Sequence, residues 1–424
     1  MVKIFALIFF ILLGMGLPIW LVLGVSAGTM FAVEGKPLVG IAQKMLDELN
    51  STTLLAVPFF VMAASFMQRG GIAKALVDVA AVWVGNVRGG LGVVCVAACA
   101  MFAAICGSSV ATALAMGTIL IPAMIDRKYD RPFALGVTAA SGTLGILIPP
   151  SLPLILYAII ADESVPRLFL AGVIPGMMQA ALFVAYVLWY GRRNNLAREP
   201  RRSSAEFWRV NLNAIPALSM PVIIAVGIYG GWVTTTETAA LAAFVALLIS
   251  LFFYKGFKFS ETLTVIGESI KNAGTIMIII ATALAFGHWI TESGIPAALV
   301  QYIRDNGFTT WQFLLAINVM LIILGMFLEV ASILLIAMPI LIPVLGPLGI
   351  DPVHFAIVVV VNMELALITA PVGLNLYVLA TVSNTPLKTV IKGVNPFLVL
   401  LLGLLLLITY VPEISLWLPR LVYG

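Results

Sequence analysis

The apolar run 133–160 is broken in its middle by Ile148-Pro149-Pro150-Ser151-Leu152-Pro153. A second apolar run, 354–383, is broken by Thr369-Ala370-Pro371-Val372-Gly373-Leu374, and 221 positions separate the two interruptions. The same shift of 221 positions pairs Ile121-Pro122 with Ile342-Pro343 and Asp130 with Asp351. The sequence therefore contains two repeats with the same order of motifs.

The composition shows that lipid is the solvent of most of this chain. Of 424 residues, 62% are hydrophobic and 10% are charged, and the mean hydropathy is +1.12. Soluble proteins carry about 25% charged residues, so a water-soluble globule is excluded. A spanning helix needs about 20 apolar residues, so the length leaves room for roughly ten to fourteen membrane passes. The net charge of +4 does not indicate nucleic-acid binding, because membrane topology accounts for the basic residues.

The inventory of reactive side chains argues against an enzyme. The three cysteines, Cys95, Cys99 and Cys106, lie in one apolar stretch, where we expect them to pack as small hydrophobes. The two histidines, His288 and His354, are far apart, so metal catalysis and Ser-His-Asp chemistry lack their residues. The sequence has no phosphate-binding GxxxxGKS or GxxxxGKT loop, which excludes ATP hydrolysis by this chain. We expect no catalytic function and no organic cofactor.

Basic residues indicate which loops face the cytoplasm. The most basic loop, 191–209, contains Arg192, Arg193, Arg198, Arg201, Arg202 and Arg209. With this loop inside the cell, 17 of the 23 basic residues lie on the cytoplasmic side. That count requires 89–125 and 311–345 each to enter and leave the membrane on the same side. It also gives the two halves of the chain opposite orientations.

These features predict an all-α polytopic membrane protein built as an inverted repeat, which is typical of secondary transporters. Each repeat contains one re-entrant hairpin and one broken helix: 89–125 and 133–160 in repeat 1–210, which ends in the loop 191–209, and 311–345 and 354–383 in repeat 211–424. We expect the hairpins and broken helices to form a transport domain and the remaining helices to form a scaffold.

Shorter segments complete this plan. Three amphipathic pieces, 72–85, 260–272 and 296–304, are expected to lie along the membrane surface. The apolar run that starts at Ile4 is expected to be a mature membrane helix, not a signal peptide.

The two hairpin turns and the two helix breaks are candidates for a binding site. The first turn is expected at Cys106-Gly107-Ser108-Ser109 and the second near Phe327-Leu328-Glu329-Val330-Ala331-Ser332. Backbone leaves the helical state at membrane depth only where it is buried in protein or lines a polar cavity. Free carbonyls and hydroxyls suit a hard cation such as sodium, and helix N-termini attract an anionic group. Helix kinks and hydroxyls bonded to their own helix are the structural alternative, but the recurrence in both halves favours binding.

Glu329 and Glu364 are acidic residues in apolar surroundings. An ionisable residue inside a membrane indicates a functional role by default. A structural ion pair, or a position at the aqueous mouth of a hairpin, is the alternative, and the sequence leaves both interpretations open.

Several of these stretches together resemble one transporter family. They are Gly107-Ser108-Ser109-Val110-Ala111-Thr112, Leu144-Gly145-Ile146-Leu147-Ile148-Pro149-Pro150-Ser151, Leu170-Ala171-Gly172 with Pro175-Gly176, Gly349-Ile350-Asp351-Pro352, Asn362-Met363-Glu364, and Thr369-Ala370-Pro371-Val372-Gly373-Leu374-Asn375. The chain resembles, along essentially its whole length, the large membrane subunit of tripartite ATP-independent periplasmic (TRAP) transporters.

The resemblance implies sodium-driven import of a small organic acid across the bacterial inner membrane by an elevator movement. It implies two partners besides the lipid bilayer. One is a small four-helix membrane subunit, expected here as a separate chain, and the other is a periplasmic substrate-binding protein. Sodium is the only expected cofactor, as the coupling ion.

The resemblance also implies specific binding residues. It assigns a first sodium site to Ser108, Ser109, Gly142 and Gly145, a second to Gly325, Ala366, Thr369 and Val372, and the substrate to the neighbourhood of Thr112, Pro150, Ser332 and Asn375. Ala366 and Ala370 depart from the family pattern, which often has Gly and Pro there. A backbone carbonyl still serves at either position. No arginine within the four elements is available to clamp a carboxylate, so helix dipoles and hydroxyls would receive the anion.

Other functions differ in what they would require. A self-sufficient sodium/dicarboxylate symporter shares the hairpin plan but needs no binding protein. A membrane enzyme needs a reactive polar cluster, and a channel would conduct without saturating. A C4-dicarboxylate, a sugar acid, sialic acid and a zwitterionic solute are all compatible substrates.

Overall fold

The computed structural model describes residues 2–50, 52–196, 198 and 203–424, and in this part of the chain it is almost entirely helical. The first ten helices are α1 (Val2–Gly14), α2 (Ile19–Val33), α3 (Leu38–Leu49), α4 (Thr52–Arg69), α5 (Ile72–Val84), α6 (Gly90–Cys106), α7 (Ser109–Asp126), α8 (Arg131–Thr143), α9 (Leu152–Ala161) and α10 (Val165–Arg193). The others are α11 (Ser204–Tyr229), α12 (Thr235–Leu248), α13 (Thr262–Glu292), α14 (Ile295–Asp305), α15 (Thr310–Gly325), α16 (Val330–Leu345), α17 (Pro352–Leu367), α18 (Leu374–Val382), α19 (Leu387–Tyr410) and α20 (Glu413–Tyr423). Arg201 and Arg202 of the basic loop lie outside the described residues.

The predicted hairpins and broken helices are present. Helices α6 and α7 turn at Gly107, and α15 and α16 turn at 326–329, so Ser332 belongs to α16 and not to the turn. The first broken helix consists of α8, a short 3₁₀ turn and α9, and the second consists of α17 and α18. The predicted inverted division into 1–210 and 211–424 stays a prediction.

Helix bounds recur at the shift seen in the sequence. Helices α7 and α16 begin at Ser109 and Val330, and α8 and α17 begin at Arg131 and Pro352, in both cases 221 positions apart. The peptide bonds before Pro150 and Pro371, at the two helix breaks, are both cis. The two halves therefore share their helix order as well as their motifs.

In the described residues, fewer helices are long enough to cross a membrane than the ten to fourteen passes for which the chain has room. Seven helices in the described residues are long and apolar enough to cross a membrane, or eight if α4 and α5, which meet at 67°, count as one bent span. Five more apolar helices are only 10–17 residues long. Two of the seven are hairpin arms, α7 and α16, and other apolar residues lie in broken helices, so apolar length alone does not give the number of passes.

One expected surface helix is absent. The amphipathic piece predicted at 260–272 is part of α13, which continues for 31 residues from Thr262 to Glu292. Helix α13 contains glycines but no proline, and a glycine weakens a helix without ending it. The other two amphipathic pieces correspond to α5 and α14, which are separate helices.

Close backbone packing joins the transport elements to the second half of the chain. Helix α8 packs along α19. An ideal Cβ placed on Gly136 of α8 would lie 2.0 Å from the carbonyl oxygen of Gly393 in α19. Only glycine permits this approach. Helix α13 packs against α2, α4 and α16, so it connects α2 and α4 with the second hairpin.

Candidate functional site

The turn of the first hairpin is built around Gly107 and Ser108. Gly107 has a φ of 66°, in the left-handed region that favours glycine. Ser108 caps α7, and its Oγ accepts a hydrogen bond from the amide of Ala111 at 3.4 Å. The Thr112 hydroxyl donates to the Ser108 carbonyl oxygen at 2.7 Å. The turn is therefore held by its own side chains.

Glycines let this turn approach the first broken helix. An ideal Cβ on Gly145 would lie 2.5 Å from the Ser108 carbonyl oxygen, and one on Gly142 would lie 2.8 Å from Cβ of Ala113. One on Gly107 would lie 2.6 Å from the carbonyl oxygen of Pro150. The structure thus places Ser108, Gly142 and Gly145, three of the residues assigned to the first sodium site, in the contact between the first hairpin and the first broken helix. The Thr112 hydroxyl lies there too, 2.8 Å from an ideal Cβ on Gly145.

The second hairpin contacts the second broken helix in a similar way. An ideal Cβ on Gly325 would lie 2.3 Å from Cβ of Ala366. The amide of Thr369 donates to the carbonyl oxygen of Ala366 at 3.2 Å, and its hydroxyl donates to that of Leu365 at 2.6 Å. Val372 lies farther along the break and is 37% exposed. Gly325, Ala366 and Thr369 therefore form one group, with Val372 at its edge.

The four residues expected near the substrate occupy different environments. Thr112, Ser332 and Asn375 are buried. The Asn375 amide nitrogen donates to Ser109 Oγ at 2.8 Å and to the carbonyl oxygen of Ala139 at 3.2 Å. Pro150 lines a cavity of about 260 Å³ at the hairpin turns. Asn375 thus has a position in the packing between the two halves, and Pro150 is the residue of the four that faces this cavity.

Residues from the turns of both hairpins line two cavities. One has a volume of about 260 Å³ and the other of about 90 Å³, and Gly107, Ser108 and Glu329 line both. Ser108 and Glu329 immediately precede α7 and α16 and are 221 positions apart, so they are equivalent residues of the two repeats. The two turns therefore meet at one place.

Four helices begin at the smaller cavity. Its lining includes the first residues of α7, α9, α16 and α18, which are Ser109, Leu152, Val330 and Leu374. Each helix N-terminus carries a partial positive charge and free amide groups. Among the residues that the structure describes, no lysine, arginine or histidine lines either cavity. The positive potential there comes from backbone, and Glu329 contributes the one carboxylate.

The larger cavity also has a wall that the sequence analysis did not identify. Ser65 and Gln68 of α4 and Asn272 of α13 face the turns from the scaffold side. The available signal was weak, because each is a polar residue in or near an apolar helix and such residues recur in many membrane helices for structural reasons. The cavity separates the hairpin turns from α4 and α13.

Comparisons with known proteins identify the family of this chain. The family model described as tripartite ATP-independent periplasmic transporter, DctM component, matches residues 6–414. A C4-dicarboxylate TRAP transporter large permease of Pseudomonas aeruginosa is 42% identical over 90% of this chain and 89% of its own length. A sialic acid TRAP transporter large permease of Vibrio cholerae is 34% identical over 96% of this chain and 93% of its own length.

A solved structure has a similar fold. The YdaH transporter of Alcanivorax borkumensis, described as having an unusual topology, matches with a TM-score of 0.64 over 90% of each chain. Its sequence identity is 14%, so this likeness concerns the fold alone.

The relatives are transporter permeases, so at the level of the family the chain is not an enzyme. Its apolar helices and its bacterial relatives identify a multi-pass protein of the bacterial inner membrane. The match over residues 6–414 covers nearly the whole chain, and we conclude that the chain belongs to the family of DctM components of tripartite ATP-independent periplasmic transporters.

Proposed function

We propose that this chain is the large membrane subunit of a sodium-coupled importer of a small organic acid. The observation that carries the proposal is the convergence of four helix N-termini on a cavity between two hairpin turns. Helix N-termini bind anions through free amides and the helix dipole. A carboxylate of the substrate would take this position, with Ser108 and Ser109 as hydroxyl donors.

Sodium would bind at the two helix breaks. At the first break the Ser108 carbonyl oxygen lies directly beside Gly145, where a Cβ would come within 2.5 Å of it, so this oxygen is a candidate ligand. Gly325 and Ala366 supply a matching contact at the second break. Hard cations prefer such oxygen ligands. Binding at the breaks would order both turns and so complete the anion site between them.

The movement would carry the hairpins and broken helices past the scaffold. The larger cavity lies between the turns and the polar residues Ser65, Gln68 and Asn272 of α4 and α13. A polar crevice along this boundary lets one unit slide while water and substrate occupy the gap. This arrangement supports an elevator movement of the transport domain.

The substrate belongs to the organic acids. Relatives are named for C4-dicarboxylates and for sialic acid, which share a carboxylate and differ in size. A backbone anion site fits the shared group and leaves the choice between these acids to the periplasmic binding protein. The alternative is a self-sufficient sodium/dicarboxylate symporter that needs no such protein.

Reconstitution tests the proposal against this alternative. Proteoliposomes would contain the chain with a small membrane subunit, and a periplasmic binding protein of the same transporter would be added loaded with its radiolabelled acid. We expect uptake only when all three components are present. Uptake of the free acid by this chain alone, at a comparable rate, would favour the symporter.

A further inference from the structure

A buried carboxyl group lies in the interior of the protein. Glu364 of α17 is fully buried, and neither of its carboxylate oxygens has a hydrogen-bond partner among the described residues. None of the ion pairs in the described part of the chain involves Glu364. Glutamate is almost never fully buried without a partner, because an isolated carboxylate is strongly destabilised away from water. Either a proton or a bound cation must therefore neutralise this group.

A neighbour of Glu364 also has a buried oxygen without a hydrogen-bond partner. Thr143 of α8 and Gln179 of α10 lie beside the carboxylate, both fully buried, without giving it a hydrogen bond of normal geometry. The Gln179 amide nitrogen donates to the Thr143 hydroxyl at 2.9 Å, and that hydroxyl donates to the carbonyl oxygen of Ala140 at 2.8 Å. Gln179 Oε1 has no donor within the described residues. Three buried acceptor oxygens, on Glu364 and Gln179, thus lack a partner.

The repeat explains why these residues meet. Thr143 and Glu364 are 221 positions apart, so they are equivalent residues of the two halves. Thr143 ends α8, and Glu364 lies in the last turn of α17, just before the two helix breaks. Their proximity places the cluster where the two broken helices face each other, with Gln179 of α10 beside them. Only one member of the equivalent pair is an acid.

We propose that Glu364, Gln179 and Thr143 form a binding site for a monovalent cation of the sodium class, separate from the two sodium ions proposed at the helix breaks. The residues of those two sites contact the hairpins, since Gly142 lies against Ala113 and Ala366 against Gly325. Thr143 instead bonds to Gln179 of α10. The ligands are all oxygens, which hard cations prefer. One carboxylate balances one positive charge, whereas calcium takes six to eight oxygens and usually several carboxylates. A proton on Glu364 would leave at least one of the three oxygens without a partner, and a cation contacts all three.

Counting bound sodium tests this site directly. The chain is purified with its small membrane subunit in nanodiscs, and saturating ²²Na⁺ is measured per complex. Glu364→Gln keeps the shape of the side chain and removes its charge, so we expect one fewer bound ion than in the unchanged protein. Glu413→Gln is the matched control, because Glu413 is an exposed carboxylate paired with Arg420, and it should bind the full number.

A second variant and a second measurement distinguish the loss of an ion ligand from misfolding. Gln179→Leu keeps the carboxylate and removes one ligand, so we expect the half-saturating sodium concentration of one ion to rise about tenfold, which corresponds to about 1.4 kcal/mol. Melting temperatures in sodium-free buffer confirm that each complex is folded. An unchanged sodium count in folded Glu364→Gln would overturn the proposal. If one titratable proton is also lost in that variant, the result would show that Glu364 carries a proton and does not bind a cation.

Discussion

The amide nitrogen of Asn375 donates a hydrogen bond to the Ser109 hydroxyl at 2.8 Å, joining residues that are 266 positions apart. Asn375 lies in the first turn of α18, the second half of the second broken helix, and Ser109 begins the second arm of the first hairpin. The bond therefore connects a helix break of one repeat to the hairpin turn of the other. The two repeats share a polar contact at Ser109, which lines the cavity where we propose that the anion binds.

Replacing Asn375 with alanine should weaken this connection. The change leaves the buried Ser109 hydroxyl without its partner, which costs about 1–3 kcal/mol of unfolding free energy. We expect a lower melting temperature and at least tenfold slower uptake of the acid. Asn306→Ala is the matched control, since the Asn306 side-chain amide donates locally to the carbonyl oxygen of Tyr302, one turn earlier at the end of α14. Equal effects of the two substitutions would contradict the role of Asn375.

A methyl group at Gly145 should separate the first hairpin turn from the broken helix. The new Cβ would lie 2.5 Å from the Ser108 carbonyl oxygen, so one of the two segments must move. Overpacking of this kind costs about 1–3 kcal/mol, and we expect the sodium concentration for half-maximal uptake to rise. Gly274→Ala in α13 is the control, because its Cβ would meet no described atom within 4 Å. Normal sodium dependence in Gly145→Ala would argue against the first ion site.

The contact between Gly325 and Ala366 permits a rescue experiment. Gly325→Ala places a Cβ 2.3 Å from that of Ala366 and should reduce uptake severalfold by forcing the hairpin away from α17. Ala366→Gly removes the opposing methyl group. The double variant should therefore recover most of the lost uptake. A double variant as slow as Gly325→Ala would show that the contact itself does not determine the position of the hairpin.

The crossing of α8 and α19 is predicted to determine stability. Gly136→Ala would bring a Cβ to 2.0 Å from the Gly393 carbonyl oxygen, and both atoms belong to rigid helical segments. We expect a loss of at least about 2 kcal/mol of unfolding free energy, measured as a lower melting temperature of the purified complex. Gly403→Ala is the control, because Gly403 is also in α19 and a Cβ there would meet no described atom within 4 Å. That variant should melt at or slightly above the temperature of the unchanged protein.

The repeat and the helix breaks could be predicted because their signals are local. Proline and glycine interrupt a helix wherever they occur, and a shift of 221 positions compares such interruptions directly. The start of α7 at Ser109 follows from the preceding glycine and the capping serine, which are both visible in the sequence. The bounds of the hairpins and broken helices are therefore close to those expected.

The features that depend on three-dimensional proximity could not be predicted. Gln68 and Asn272 face the same cavity from two helices, and nothing in their local sequence distinguishes them from other polar residues. Gln179 lies beside Glu364 only because α10 packs against α17. The continuity of α13 through 260–272 also escaped prediction, because amphipathic spacing describes the face of a helix and not where it ends.

Coupling to sodium is the central claim of the proposed function, and one uptake measurement tests it most directly. Proteoliposomes with the complete complex and the loaded binding protein are given an inward sodium gradient, no gradient, or an equal potassium gradient. The account predicts concentrative uptake of the acid with the sodium gradient alone. Uptake that is equally fast and equally concentrative without the sodium gradient would contradict it.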